Sequence, residues 1–232
     1  MESQTDSLHT QESIGRHASA RSMKPADRLG LAIALSRFQH KRRQVAFLMI
    51  LLAIGFLFFL EARSSEFIAG VVETFGIGLM AMAVIGRLWS TLYIGGRKNG
   101  ELVAAGPYSI TRNPLYLFSA IGAAGAGAQT GSIVVTLAFA VATWGIFAIV
   151  IRREEKYLRQ AFDEYYADYC MRVPRFLPRW SAFTDADWVM ASPKRLYATF
   201  FDSLVFFTAV PLSEGIEWLQ EYGVVPVVLR LP

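Results

Sequence analysis

Two stretches of this 232-residue chain combine charged, aromatic and turn-forming residues in a pattern that can do chemistry. The first reads Gly106-Pro107-Tyr108-Ser109-Ile110-Thr111-Arg112-Asn113-Pro114-Leu115-Tyr116. The second opens on Arg152-Arg153-Glu154-Glu155, continues through Leu158, Phe162, Tyr165, Tyr166 and Tyr169, and closes on Val173-Pro174-Arg175-Phe176-Leu177-Pro178. Glu154 or Glu155 can accept hydrogen bonds from hydroxyl or ammonium groups. Arg112 or Arg153 can grip a carboxylate through a bidentate pair. Tyr108 and Tyr116 can line a flat apolar slot or face a cation.

Each of these residues has an ordinary reading as well. Arginines at the ends of apolar helices are most often topological anchors, and tyrosines there belong to interfacial belts. Glu154 and Glu155 can simply be solvated beside Lys156 and Arg159. Asn113-Pro114 is first of all a turn signal. Only the order of the motifs and the return of both stretches to one place make a site.

That return depends on the apolar elements. The chain is 53% hydrophobic and only 18% charged, below the quarter usual for soluble domains, and the charges are missing from long runs. Residues 45–62 and 67–86 are each close to the ~20 residues that cross a bilayer, with Arg87 ending the second run. Residues 115–151 carry no charge and are too long for one crossing. Gln129-Thr130-Gly131-Ser132 is the natural turn of a hairpin there, with a short Gly/Ala-rich first arm (115–128) and a full second arm (133–151) ending at Arg152-Arg153. Small residues in the first arm suit close helix packing in lipid. Basic residues Arg42, Arg43, Arg87, Arg97, Lys98, Arg112, Arg152 and Arg153 flank one side of these runs, and Glu61 and Glu66 flank the other. By the positive-inside rule the N-terminus and residues 152–195 face the cytosol.

The expected fold is therefore all-α: a multi-pass transmembrane helical bundle with a four-span core, a C-terminal apolar region and a cytosolic amphipathic helix. Residues 1–27 read as a disordered cytosolic tail, 28–180 as the membrane core, and 181–232 as an extension with one or more apolar helices. Residues 28–44 suit an amphipathic helix on the membrane surface, and 154–170 a second helix with Leu158, Phe162, Tyr165 and Tyr169 on one face. The apolar stretches 196–212 and 216–228 are interrupted by Pro211, Ser213, Glu214 and Pro226. A fifth span, a re-entrant hairpin and an interfacial helix all stay open for them.

Composition removes several function classes. A single cysteine, Cys170, permits no internal disulfide, and the three histidines, His9, His17 and His40, all precede the apolar core, so a zinc enzyme is not expected. The net charge of +4 fits basic residues meeting anionic lipid rather than nucleic acid. The first apolar run lies too deep in the chain for a secretory signal. Glu73, inside the second run, is a functional candidate by its position.

The ordered set GPYxxxRNPxY, Gly-rich short span, RxEE, YxxY and VPRFLP, over residues 85–180, resembles the isoprenylcysteine carboxyl methyltransferase and phospholipid methyltransferase superfamily. The resemblance implies S-adenosylmethionine-dependent methylation of a lipophilic or lipidated substrate, with membrane lipid as neighbour and a bacterial inner-membrane location. It implies a cofactor pocket built by Leu102, Val103, Tyr108, Asn113, Pro114, Tyr116, Gly125, Gly127, Glu154 and Glu155, with Arg112 and Arg153 in catalytic roles. An isoprenylcysteine-type carboxylate is the substrate most resembled. Asn113 stands where those members often have His, and Gly100-Glu101-Leu102-Val103 where they often have His-x-Leu-Val, which weakens that particular transfer. Phospholipid amines and small thiols are the other substrates to weigh. A nicotinamide-dependent membrane reductase and a non-enzymatic membrane protein are the rival functions.

Overall fold

In the computed structural model the described residues are 60–62, 65–95, 102–225 and 229–231. The expected tail, the amphipathic stretch 28–44 and most of the first span lie outside them. The last three residues of that span, Leu60–Ala62, are not helical. They form strand β1, paired in parallel with β2, Leu229–Leu231, so that Glu61 faces Arg230. The partner strand supplies the backbone bonds a helix would otherwise have to supply.

The remaining described elements are helical. Helix α1, Glu66–Ile94, starts at Ser65, whose side chain accepts from the Ile68 N–H, and carries Glu66 in its first turn. It runs past Arg87, where the expected span ended, and stops at Gly95. Arginine is a good helix former, and nothing caps or breaks the chain at that point. After the short helix α2, Pro107–Ile110, comes α3, Pro114–Ala128, with Pro114 in its first turn, where the missing N–H costs nothing. The turn falls at the expected place, with Gly131 in the left-handed region (φ 67).

Helix α4, Ile133–Arg172, is capped by Ser132 and is one unbroken element of 40 residues. The sequence expectation of an arm ending at Arg152-Arg153, followed by a separate amphipathic helix, is thereby corrected. Charged residues continue a helix readily, whereas Val173-Pro174 cannot, because proline forces its predecessor out of the helical region. At 1.5 Å per residue α4 is about 60 Å long, twice a ~30 Å hydrocarbon core. Its distal half buries Tyr166 and Tyr169 with Val173, backed by Leu158 and Phe162; Tyr166, not the half-exposed Tyr165, continues the stripe.

The C-terminal region is also settled as one helical run: α5, Pro193–Leu204, a 3-10 turn at Val205–Thr208, and α6, Ala209–Glu221. Pro211 does not divide it. It sits in the first turn of α6, and the tightened turn before it absorbs the missing donor. Among the described residues three helical runs are long and apolar enough to cross a membrane, Glu66–Ile94, Ile133–Gln160 and Pro193–Glu221, while α3 is shorter.

Helix α3 is held by α1 on one side and α4 on another. A Cβ on Gly125 would lie 2.6 Å from the Gly76 carbonyl, and a Cβ on Gly76 would lie 2.8 Å from the Gly125 carbonyl, so the two backbones touch where both residues lack side chains. The C-terminal run docks through Arg87, which donates from Nε to the Ser203 hydroxyl at 2.8 Å, from Nη1 to Ser119 and from Nη2 to Asp202. Thr91 and Thr199 share a hydroxyl hydrogen bond of 3.0 Å one turn along. A cation within an apolar helix is tolerated because these partners surround it.

Candidate active site at the open end of the hairpin

The α3–α4 hairpin is closed at its turn. At its other end it opens, and both motif stretches meet there. Pro114 starts α3 and so fixes where Arg112 and Tyr116 project. The continuous α4 places Glu154 and Glu155 opposite them. The Tyr116 hydroxyl donates to Glu154 Oε1 at 2.7 Å, and Arg112 Nη1 donates to Glu155 Oε1 at 2.9 Å.

Glu155 is the centre of the arrangement. It is 4% exposed, and it also receives Arg175 Nε at 3.0 and 3.1 Å and Arg175 Nη2 at 2.7 Å. One buried carboxylate is thus shared by two guanidinium groups, the arrangement a charge of this depth requires. The bond to Glu155 raises the Arg175 pKa above its ordinary value, so Arg175 stays charged. Arg112 Nη1 also lies 3.0 Å from the Cys170 sulfur.

The segment after α4 folds back over the motif loop and locks it. The Arg112 N–H donates to the Pro174 carbonyl and the Arg179 N–H to the Ile110 carbonyl, both at 2.9 Å. Asn113 Nδ2 donates to the Arg175 carbonyl at 3.0 Å, and the Tyr169 hydroxyl to the Tyr108 carbonyl at 2.7 Å. Gly106 has φ 59, and a Cβ there would lie 2.3 Å from the Tyr93 ring, so the loop requires glycine at this position. Val103 and Tyr108 pack on Tyr93, while Leu102 packs on the Tyr166–Tyr169 cluster.

Two buried donors have no acceptor among the described residues, the Tyr108 hydroxyl and Arg112 Nε. Burial first, and the nearby Glu154 carboxylate second, push the Tyr108 phenol above its ordinary pKa, so it keeps its proton. Buried donors without partners are rare and call for one.

The sequence candidates therefore divide. Arg112, Asn113, Pro114, Tyr116, Glu154 and Glu155 come together, with Tyr108, Leu102 and Val103 in the wall behind. Arg153 is exposed and takes no part in the hydrogen bonds of the cluster. Gly125 faces Gly76 and Met80 of α1, and Gly127 faces Phe139 of α4, both well below the cluster. Glu73 lies at the turn end, where its backbone carbonyl accepts from Gln129 Nε2 at 3.0 Å. Sequence reasoning missed Arg175, although the VPRFLP segment that carries it was already part of the pattern.

Below Tyr116 an open apolar groove of ≈ 320 Å³ runs between α3 and α4, lined by Leu117, Ala120 and Ala124 on one side and Val141 and Trp144 on the other. At its mouth the Tyr116 and Phe147 rings lie 4.8 Å apart, and Phe176 meets Trp144 edge-on at 6.2 Å.

Known proteins resemble this chain over much of its length. The phospholipid methyltransferase family model matches residues 66–165. The chain is similar to the cobalt-zinc-cadmium resistance protein CzcN of Cupriavidus metallidurans, at 33% identity over 90% of this chain and 98% of that one. The nickel-cobalt-cadmium resistance protein NccN of Alcaligenes xylosoxydans xylosoxydans is 36% identical over 68% of this chain and 77% of its own. Protein-S-isoprenylcysteine O-methyltransferase B of Arabidopsis thaliana is 35% identical over 42% of this chain and 50% of its own. No solved structure matches. A membrane-type helical scaffold, the paired motifs at the open end of its hairpin and these relatives lead to one statement: the chain belongs to the family of integral membrane methyltransferases that includes the isoprenylcysteine and phospholipid enzymes.

Proposed function

We propose that this protein transfers a methyl group from S-adenosylmethionine to a lipophilic acceptor at the cytosolic edge of the membrane. The observation that carries this reading is the open end of the hairpin, where Tyr116–Glu154 and Arg112–Glu155 stand side by side next to two buried donors without acceptors among the described residues. Those residues fit the cofactor. The Tyr108 hydroxyl and Arg112 Nε match the cofactor carboxylate or ribose oxygens, Glu154 matches an ammonium or hydroxyl, and the Tyr116 ring can face the sulfonium.

When bound, S-adenosylmethionine supplies an activated methyl group, and the chain's own work is alignment and the exclusion of water. Asn113 and Pro114 set the turn that carries Arg112 and Tyr116, while Leu102 and Val103 close the wall. Glu155 does not bind cofactor in this reading. Its oxygens are already engaged by Arg112 and Arg175, and it holds both guanidinium groups in place. Gly125 and Gly127 serve helix contact rather than the pocket. Arg153, exposed at the same level, is assigned to an anionic acceptor group or to phosphate of the surrounding lipid. The apolar groove below Tyr116 is the acceptor's route from the bilayer. A carboxylate or thiolate acceptor needs no base in the transfer step, which suits a cluster with no histidine among the described residues.

CzcN and NccN are named as metal resistance proteins, which supports reading this methylation in that setting. In that setting the expected contribution is chemical modification of a membrane component.

Calorimetry with purified protein tests the reading directly. S-adenosylmethionine should bind, and Glu154→Ala and Tyr116→Ala should each weaken it about 10- to 100-fold, the loss expected for a charged hydrogen bond, with helix content unchanged. Wild-type affinity in both variants sinks the pocket. Binding of a nicotinamide cofactor instead would favour a reductase.

A further inference from the structure

At its lower end the groove between α3 and α4 runs toward Gly127 and Phe139, which meet across the hairpin. On α3 the lining residues Leu117, Ala120 and Ala124 share one helical stripe, which continues to Gly127. There the Phe139 side chain of α4 reaches α3, so close that a Cβ on Gly127 would lie 3.0 Å from Phe139 Cβ and Cγ. Phe139 in turn packs against the buried pair Val135 and Ile216, together with Leu212, and the last two belong to α6. The C-terminal run thus joins the same apolar cluster as that ring.

The dimensions favour one occupant. From Leu117 to Ala124 the groove covers two helical turns, about 10 Å. Its ≈ 320 Å³ stands at the low end of the ~300–1,000 Å³ of small-molecule pockets. That suits one short apolar chain. The mouth adds a charge preference. Phe176 meets Trp144 there, and its neighbour Arg175 is half-exposed with its guanidinium fixed by Glu155.

We propose that Phe139, seated on Gly127 beside the Val135–Ile216 cluster, is the floor of the acceptor site, so that the C-terminal extension, through Ile216, sets the length of the single apolar chain, anionic at its outer end, that this protein accepts. This rests on the methyl-transfer reading above for the word acceptor, but the binding it describes needs no cofactor.

The test uses the full-length protein in a phosphatidylcholine bilayer and a homologous series of alkyl carboxylates bearing a terminal diazirine. Photolabelling read by peptide mass spectrometry should fall on groove residues of α3 and α4, pass through a maximum as the chain lengthens, and then drop. Phe139→Ala and Ile216→Ala should move the maximum to longer chains, and Ala124→Leu to shorter ones. If Phe139→Ala does not fold, Ala124→Leu keeps the result decisive, because it narrows the groove from the other helix. A maximum that stays in place in the folded variants overturns the proposal. So does labelling that ignores chain length and spreads equally over the lipid-facing residues Phe67, Phe75 and Ile85 of α1, the mark of an ordinary lipid-filled seam. Length-dependent labelling without methyl transfer would overturn the enzymatic reading alone, and methyl transfer without a movable maximum would overturn only the floor.

Discussion

The two ends of the α3–α4 hairpin are built from opposite materials. At the turn, Gly76, Gly125, Gly127 and Ala128 let backbones and rings touch, and a single buried amide, Gln129, bonds the carbonyls of Glu73 and Gly125. At the open end, Arg112, Glu155, Arg175, Tyr116 and Glu154 fill the space between the helices with charge. The first end is held by van der Waals contact, which in lipid replaces the hydrophobic effect as the cause of helix association. The second is tolerable only because each charge has partners, since an isolated buried ion is expensive. One pair of helices is thus pinned at the bottom and held apart at the top, and a groove between them follows.

Variants can separate these two modes. The largest effect should come from Glu155→Ala, which leaves Arg112 buried and Arg175 unanchored. Removing one partner of a buried ion pair costs about 3–5 kcal/mol, measurable as a lowered denaturation midpoint together with loss of cofactor binding. Next comes Gly125→Ala. Its Cβ would meet backbone atoms of Gly76 and Met80 at 2.6 and 3.0 Å, and overpacking of this kind costs about 1–3 kcal/mol. Stability should fall while the residual folded protein binds cofactor with unchanged affinity. Equal loss of binding in both variants would mean that the two ends are not independent.

The smallest effect concerns the segment that covers the open end. The Asp185 carboxyl is held below its ordinary pKa, first by the Tyr93 hydroxyl and then by the Ala186 N–H. A lowered folded-state value means its contribution is fully present above the unfolded carboxylate pKa and is lost as pH falls through the lowered one. Amide protection around Thr184 and Ala186, taken against the intrinsic exchange rate at each pH, should therefore fall only below about pH 4, and Asp185→Asn should remove that pH dependence.

Much of this was legible because the signals were local. The hairpin turn follows from Gln129-Thr130-Gly131-Ser132, the start of α3 from Pro114, and the end of α4 from Val173-Pro174. The same stretches carried the motif residues, so the meeting of Arg112 and Tyr116 with the Glu154–Glu155 pair could be expected from chain order. Helix ends were misplaced wherever charge was taken as a stop. Arg87 and Arg152 continue their helices, because a charged residue ends a membrane span, not a helix.

The amino-acid order alone determined an apolar helical chain with one tight hairpin and two polar stretches returned to its open end. These depend on turn chemistry and on runs without charge, which act over a few residues. Tertiary structure decided which carboxylate the arginines share and which takes the Tyr116 hydroxyl, that Arg175 joins the cluster, that Arg87 anchors the C-terminal run, and that Phe139 packs at the Val135–Ile216 cluster. Each is a contact between residues distant in the chain, and its existence depends on how neighbouring helices rotate and how closely small residues let them approach.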